Sequence, residues 1–72
     1  MTTARVRQYA REEAARFGCS ASEILSPLRR WDVVAARRAV MRRLRDDGFS
    51  TPQIGKWLDR DHTTVLSGLR AA

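Results

Sequence analysis

Along most of this chain the apolar residues recur at intervals of three and four, and glycine, proline or a capping serine cuts the pattern into short stretches. That periodicity makes amphipathic helices, each with one stripe that another helix must cover. Seventy-two residues are about half of a typical ~150-residue domain, so all the stripes have to share one core. A hydrophobic fraction of 43% beside 31% charged residues lies well above the level at which disorder prevails. The expectation is a single all-α domain over residues 1–72, with modest stability because so short a chain buries only about 60% of its unfolded surface.

Val6, Tyr9, Ala10, Ala14 and Phe17 mark the inner stripe of a first helix over about residues 4–17, which Gly18 stops. Tyr9 and Phe17 share that stripe with valine and alanine, so they are read as core and not as a platform for stacked bases. Ser20 or Ser22 can cap a short second helix through Ile24 and Leu25. Pro27 ends it by disfavouring helical geometry at Ser26, and Leu28 to Trp31 form a short basic loop. Asp32 is the expected N-cap of a long third helix to about Asp46, with Val33, Ala36, Val40, Met41 and Leu44 inward and Gly48 just beyond. Arg37, Arg38, Arg42, Arg43 and Arg45 occupy its remaining faces. In Ser50-Thr51-Pro52-Gln53 a serine stands three residues before glutamine, a capping-box pattern that tolerates proline in the first turn and opens a fourth helix. Ile54, Trp57 and Leu58 supply its buried face. Asp59-Arg60 then make a tight turn in which Asp59 takes a place glycine often fills. Asp61 caps a fifth helix to about Arg70, with Val65, Leu66 and Leu69 inward. The fold class is therefore five helices ending in a helix-turn-helix.

Fourteen Lys and Arg against eight Asp and Glu leave a formal charge of +6, and Lys56 is the only lysine. Solubility could be met by lysine, whereas arginine's planar fork suits phosphates and guanine edges, so a polyanionic partner is expected. The charge is uneven. Residues 1–27 carry four Arg and three Glu, while residues 28–72 carry ten basic and five acidic residues, which puts the binding surface in the second half.

From Thr51 to Leu69 a short helix, a tight turn and a second helix follow one another, with Gly55 small where the two would cross. Ile54, Leu58, Val65 and Leu69 lock them together and turn Asp61, His62, Thr63, Thr64 and Ser67 outward. The first turn of such a second helix is the part that reaches base edges. Asp61 can accept from cytosine N4 while also serving as helix cap, and Thr63 or Thr64 can donate to bases or phosphates and offer a methyl group to thymine. Thr63 or Thr64 could equally be a solvated first-turn side chain. His62 has no second histidine beside it, and no cysteine or carboxylate cluster has metal-ligand spacing, so neither a metal site nor a catalytic residue is expected.

Ile54-Gly55 followed by Arg60-Asp61-His62-Thr63-Thr64-Val65-Leu66 resembles the C-terminal DNA-binding domain of the bacterial replication initiator DnaA. The resemblance extends from Val6 to Arg70, with its specific motif in residues 54–70. It implies that Asp61, His62 and Thr63 read bases in the major groove, that Arg60, Thr64 and Ser67 lie at or near phosphates, and that an arginine of the basic loop, Arg29 or Arg30, enters the minor groove. The chain departs from the family in a shorter basic loop containing Trp31, in Asp59 where glycines are frequent, and in lacking a G-x-x-x-x-G-K-[ST] phosphate loop. It is similar to a free-standing relative without the ATPase domain.

Together these features predict a sequence-specific double-stranded DNA-binding protein, a small regulator of replication or transcription. Arg29, Arg30, Arg37, Arg38 and Lys56 are the expected phosphate contacts, joined by the amides that open the fifth helix. No enzyme activity, cofactor, small-molecule substrate or membrane association is expected. With its apolar positions used up by one core, the chain reads as a monomer. Cys19 alone cannot form an internal disulfide, and the first residues lack an apolar leader, which fits a cytoplasmic, nucleoid-associated protein. The competing reading is a helical module that binds a replication or transcription protein.

Overall fold

The computed structural model describes residues 2–60 and 62–70, which form α1 (Thr2–Phe17), α2 (Ala21–Ile24), α3 (Trp31–Asp46), α4 (Thr51–Leu58) and α5 (His62–Arg70). No strand occurs among the described residues. The third helix is the axis of the fold: α1, α2, α4 and α5 all pack on it, and α4 and α5 pack on each other as the arms of a helix-turn-helix. The core lies where they converge. Val6, Ala10 and Ala14 from α1 meet Ile24 of α2, Ala36, Val40, Met41 and Leu44 of α3, Ile54 and Leu58 of α4, and Val65 of α5. Tyr9, Phe17, Leu69 and Trp57 lie half-buried around it.

One device ends α1, α3 and α4. The chain leaves each helix through a left-handed residue, Gly18 (φ 76°), Gly48 (φ 99°) and Asp59 (φ 54°). The following amide then donates to the carbonyl five residues earlier: Cys19 to Ala14 at 3.0 Å, Phe49 to Leu44 at 3.3 Å and Arg60 to Gly55 at 2.7 Å. Glycine adopts this geometry without strain, and aspartate is among the few other residues that tolerate it. Helix starts are equally explicit. Ser20 caps α2 in a capping box with Glu23, and Ser50 caps α4 in a second box with Gln53, with Pro52 in the first turn. Of the two serines expected as candidates for the α2 cap, Ser20 accepts the Glu23 amide, and Ser22 lies beside it.

Two expectations are corrected here. Asp32 is not the N-cap of α3: the helix begins at Trp31, Arg30 is the capping residue, and no side chain bonds to the cap. Asp32 instead sits in the first turn, accepting from the Val33 amide at 2.9 Å and from Arg30 Nε at 2.7 Å. A carboxylate there suits the positive end of the helix dipole, and its pairing with Arg30 holds that residue extended. The second correction is Arg37, expected at a phosphate but only 5% exposed. Its Nε donates to the Ile24 carbonyl at 2.8 Å, and its Nη2 reaches the carbonyls of Ser26 at 2.7 Å, Leu28 at 3.0 Å and Glu23 at 3.3 Å. Its Nε and Nη2 are spent on closing α2 and the loop onto α3. Asp61, the expected cap of α5, lies outside the described residues.

Glu13 is the other buried charge, 5% exposed on the inner side of α1. It accepts from Arg43 at 3.1 Å and from Arg16 at 3.2 Å, and the Arg43 guanidinium also lies 3.9 Å above the Tyr9 ring. Arg43 thus ties α3 to α1 and faces away from α5.

The helix-turn-helix depends on the absence of a side chain at Gly55: a Cβ there would stand 2.5 Å from the Arg60 carbonyl oxygen. Gly55→Ala is expected to destabilise the domain by about 1–3 kcal/mol, because backbone and not a flexible side chain must move aside. Asp59→Gly is expected to leave stability unchanged or raise it by up to about 1 kcal/mol. Urea denaturation of both variants checks the pair. Arg37→Met keeps the stem's bulk but takes the arginine donor from the Ile24 and Leu28 carbonyls, at an expected cost of about 2–4 kcal/mol. Arg38→Met, one residue on, should stay within about 0.5 kcal/mol. Equal effects at positions 37 and 38 would contradict this assignment.

Candidate nucleic-acid interface

Two glycines set where α5 lies. Gly55 lets the chain return across α4 so closely that its missing Cβ would also stand 3.4 Å from the His62 amide nitrogen. Gly68 lies buried against α3, where a Cβ would meet Met41 Sδ at 3.0 Å and Arg38 Cγ at 3.5 Å. A glycine inside a helix costs up to about 1 kcal/mol relative to alanine, and here it admits the close approach of α5 to α3. With Val65 and Gly68 turned inward, His62, Thr63, Thr64 and Ser67 are exposed. The expected inner residues Leu66 and Leu69 are half-buried at the flanks.

Between α3 and α5 runs an open groove of about 340 Å³, lined by Arg29, Val34, Arg37, Arg38, Met41, Thr64, Ser67 and Gly68. It brings together five residues singled out from sequence for contact with the DNA backbone or minor groove: Arg29, Arg38 and the largely buried Arg37 on one wall, Thr64 and Ser67 on the other. The floor is apolar, through Val34, Met41 and Gly68.

The basic residues divide by what already occupies them. Arg29, Arg38 and Lys56 are exposed and make no ion pair among the described residues. Arg30 is engaged by Glu23 at 3.1 Å and by Asp32 at 2.7 Å. The hydrogen bond to Asp32 raises the Arg30 pKa, and in return Arg30 holds the Asp32 carboxyl below its ordinary value. Arg60 is half-buried, with Nη1 donating to the carbonyls of Leu58 at 2.9 Å and Asp59 at 3.1 Å and Nη2 to the Ser26 carbonyl. Burial, and then the Arg60 guanidinium nearby, push the Arg37 pKa down, yet a guanidinium remains charged. The Ser26 carbonyl thus receives two arginines, one from α3 and one from the turn before α5. Through it the basic loop is joined to the helix-turn-helix.

Periodicity alone assigned no role to Gly68 or to the Arg37 clamp. Gly68 was visible as a glycine within a helical pattern. Arg37, expected on the remaining faces of the third helix, stands four residues after Val33 and three before Val40, a spacing that belongs to the inner stripe. Arg42, which donates to the Leu69 carbonyl at 3.3 Å, adds a tie between α3 and the end of α5. Trp31 and Leu28 are the large apolar residues left in solvent, at 79% and 41% exposure. No helix among the described residues is long and apolar enough to cross a membrane.

Comparison with known proteins agrees with this geometry. The family described as bacterial dnaA protein helix-turn-helix matches residues 11–71. No curated protein and no solved structure matches the chain. The matched span runs from within α1 past the end of α5 and takes in the groove, the turn and both glycines that position them. The chain belongs to the DNA-binding helix-turn-helix family of bacterial dnaA proteins.

Proposed function

We propose that residues 1–72 act as one unit that binds a short duplex DNA site sequence-specifically, with the start of α5 in the major groove. Asp61, His62 and Thr63 read base edges. Arg29, Arg38 and Lys56 neutralise phosphates, Thr64 and Ser67 donate to the backbone from the α5 wall, and Arg30 joins them in so far as its two carboxylates release it. Arg60 and Arg37 serve by holding the loop. The observation that carries this reading is the groove itself, in which unpaired arginines of α3 and its loop face exposed hydroxyls of α5. Such an arrangement separates contacts that position the protein from contacts that specify sequence. Apart from Leu28 and Trp31, the large apolar side chains of the described residues are buried or half-buried, so the protein acts as a monomer on a single asymmetric site, as a small regulator of replication or transcription at the nucleoid.

Selection of bound duplexes from a random pool is expected to return one non-palindromic site. Thr63→Ala and His62→Ala should each cost about 1–3 kcal/mol on that site and little on scrambled duplex. Arg38→Ala should weaken both duplexes alike and lower the slope of log affinity against log salt by about 0.9. Asp61→Asn keeps capping ability and should change the preferred base at one position. A pool that yields no enriched site, or binding to the site and to scrambled DNA that no α5 variant separates, would overturn the reading.

A further inference from the structure

Leu28 and Trp31 belong to the segment that carries Arg29 and Arg30, and both leave a large apolar side chain in water. A lone exposed tryptophan needs no explanation. This one sits in a segment fixed from three sides. Arg37 holds the carbonyls of Ser26 and Leu28, Arg60 holds Ser26 from the turn before α5, and Arg30 bridges Glu23 and Asp32 on either side of it. The backbone is pinned by the buried Arg37 and the half-buried Arg60 while the segment's two apolar side chains are left out of the packing. On α3, Trp31 stands one turn before Val34 and two before Arg38, and both of those residues line the groove facing Thr64 and Ser67. Trp31, the first residue of α3, therefore continues the α3 wall of that groove to the start of the helix.

We infer that Leu28 and Trp31 form an apolar wedge that enters the minor groove of duplex DNA beside the segment read by α5, the indole lying against a base step. The inference rests on the reading that α5 and the groove meet duplex DNA. The chemistry around the wedge selects the partner. Arg29 and Arg38 are exposed, unpaired cations that suit the anionic rims of a groove, and sugar and base faces between those rims offer the apolar surface an indole needs. A wedge also has to be held rigidly to unstack a step, which accounts for the carbonyl clamp behind an exposed loop.

The chain has two tryptophans, and Trp57 is half-buried edge-on against Phe49 at 4.9 Å, so Trp57→Phe leaves Trp31 as the sole indole with the core intact. In that background, titration with the selected duplex should quench Trp31 emission, and 2-aminopurine at the contacted step should brighten as it unstacks. Trp31→Ala should weaken binding roughly five- to hundredfold, and Trp31→Phe much less. Neither should change the salt slope, because no charge is removed. Circular dichroism should be unaltered at so exposed a position. If Trp31 emission ignores saturating duplex and both Trp31→Ala and Leu28→Ala bind as wild type while Thr63→Ala still impairs binding, the wedge is wrong and the α5 reading stands. If no variant, wild type included, binds duplex, the reading beneath it fails as well. Emission that responds to anionic vesicles or to a partner protein and not to duplex also overturns the wedge.

Discussion

The guanidinium of Arg37 is the interaction on which the arrangement of this domain turns. The chain between Gly18 and Trp31 holds only the single-turn helix α2, too short to stand alone in water. The Arg37 guanidinium supplies what that segment lacks, closing the carbonyls of Ile24, Ser26 and Leu28 and adding to the bonds that Glu23 already accepts from Ser26. A buried arginine is costly unless its charge and donors are satisfied, and four carbonyls with no carboxylate meet Nε and Nη2 without cancelling the charge. That residual positive charge, close to Arg60, adds to the field around the basic loop. The Ser26 carbonyl, shared by both guanidinia, carries the position of α3 through to the residue that precedes the recognition segment.

This division of labour explains an excess of arginine that composition alone would assign wholly to DNA. Arg43 and Arg16 neutralise Glu13 beneath α1, Arg45 and Arg42 donate to carbonyls near helix ends, and Arg37 and Arg60 hold the loop. Among the expected contacts, Arg29, Arg38 and Lys56 remain exposed and uncommitted. A small core gains rigidity from arginines that bridge elements, and the same residues keep the basic face in one shape. Preorganisation of that kind lowers the entropy lost on binding.

Much of this was legible in the sequence, because helix periodicity and turn chemistry are local. The stripes of α1, α3, α4 and α5, the stops at Gly18 and Gly48, the left-handed Asp59 and the box at Ser50 all follow from residues within a few positions of one another. The start of α3 did not follow, since Asp32 is as good a first-turn acid as it is a cap, and the choice was made by an ion pair with Arg30. Nor did the role of Arg37. Its spacing from Val33 and Val40 suits the inner face, yet as an arginine it is expected on the remaining faces, because it can be buried only where acceptors converge, and these come from residues 23–28. Convergence of that sort is tertiary. The same holds for the groove: Arg29, Arg38, Thr64 and Ser67 were each recognisable by type, and what joins them is the close approach of α5 to α3 at Gly68.

The central claim is that the groove between α3 and α5, together with the first turn of α5, is the surface that meets duplex DNA. Backbone amide shifts of the isotopically labelled protein, followed as a duplex is added, test it directly. The account predicts that the largest changes fall on residues 28–31, Arg38 and residues 62–67, with the exposed side of α1 around Arg7 and Arg11 nearly silent. Changes centred on α1, or spread evenly over every arginine-bearing face, would contradict it.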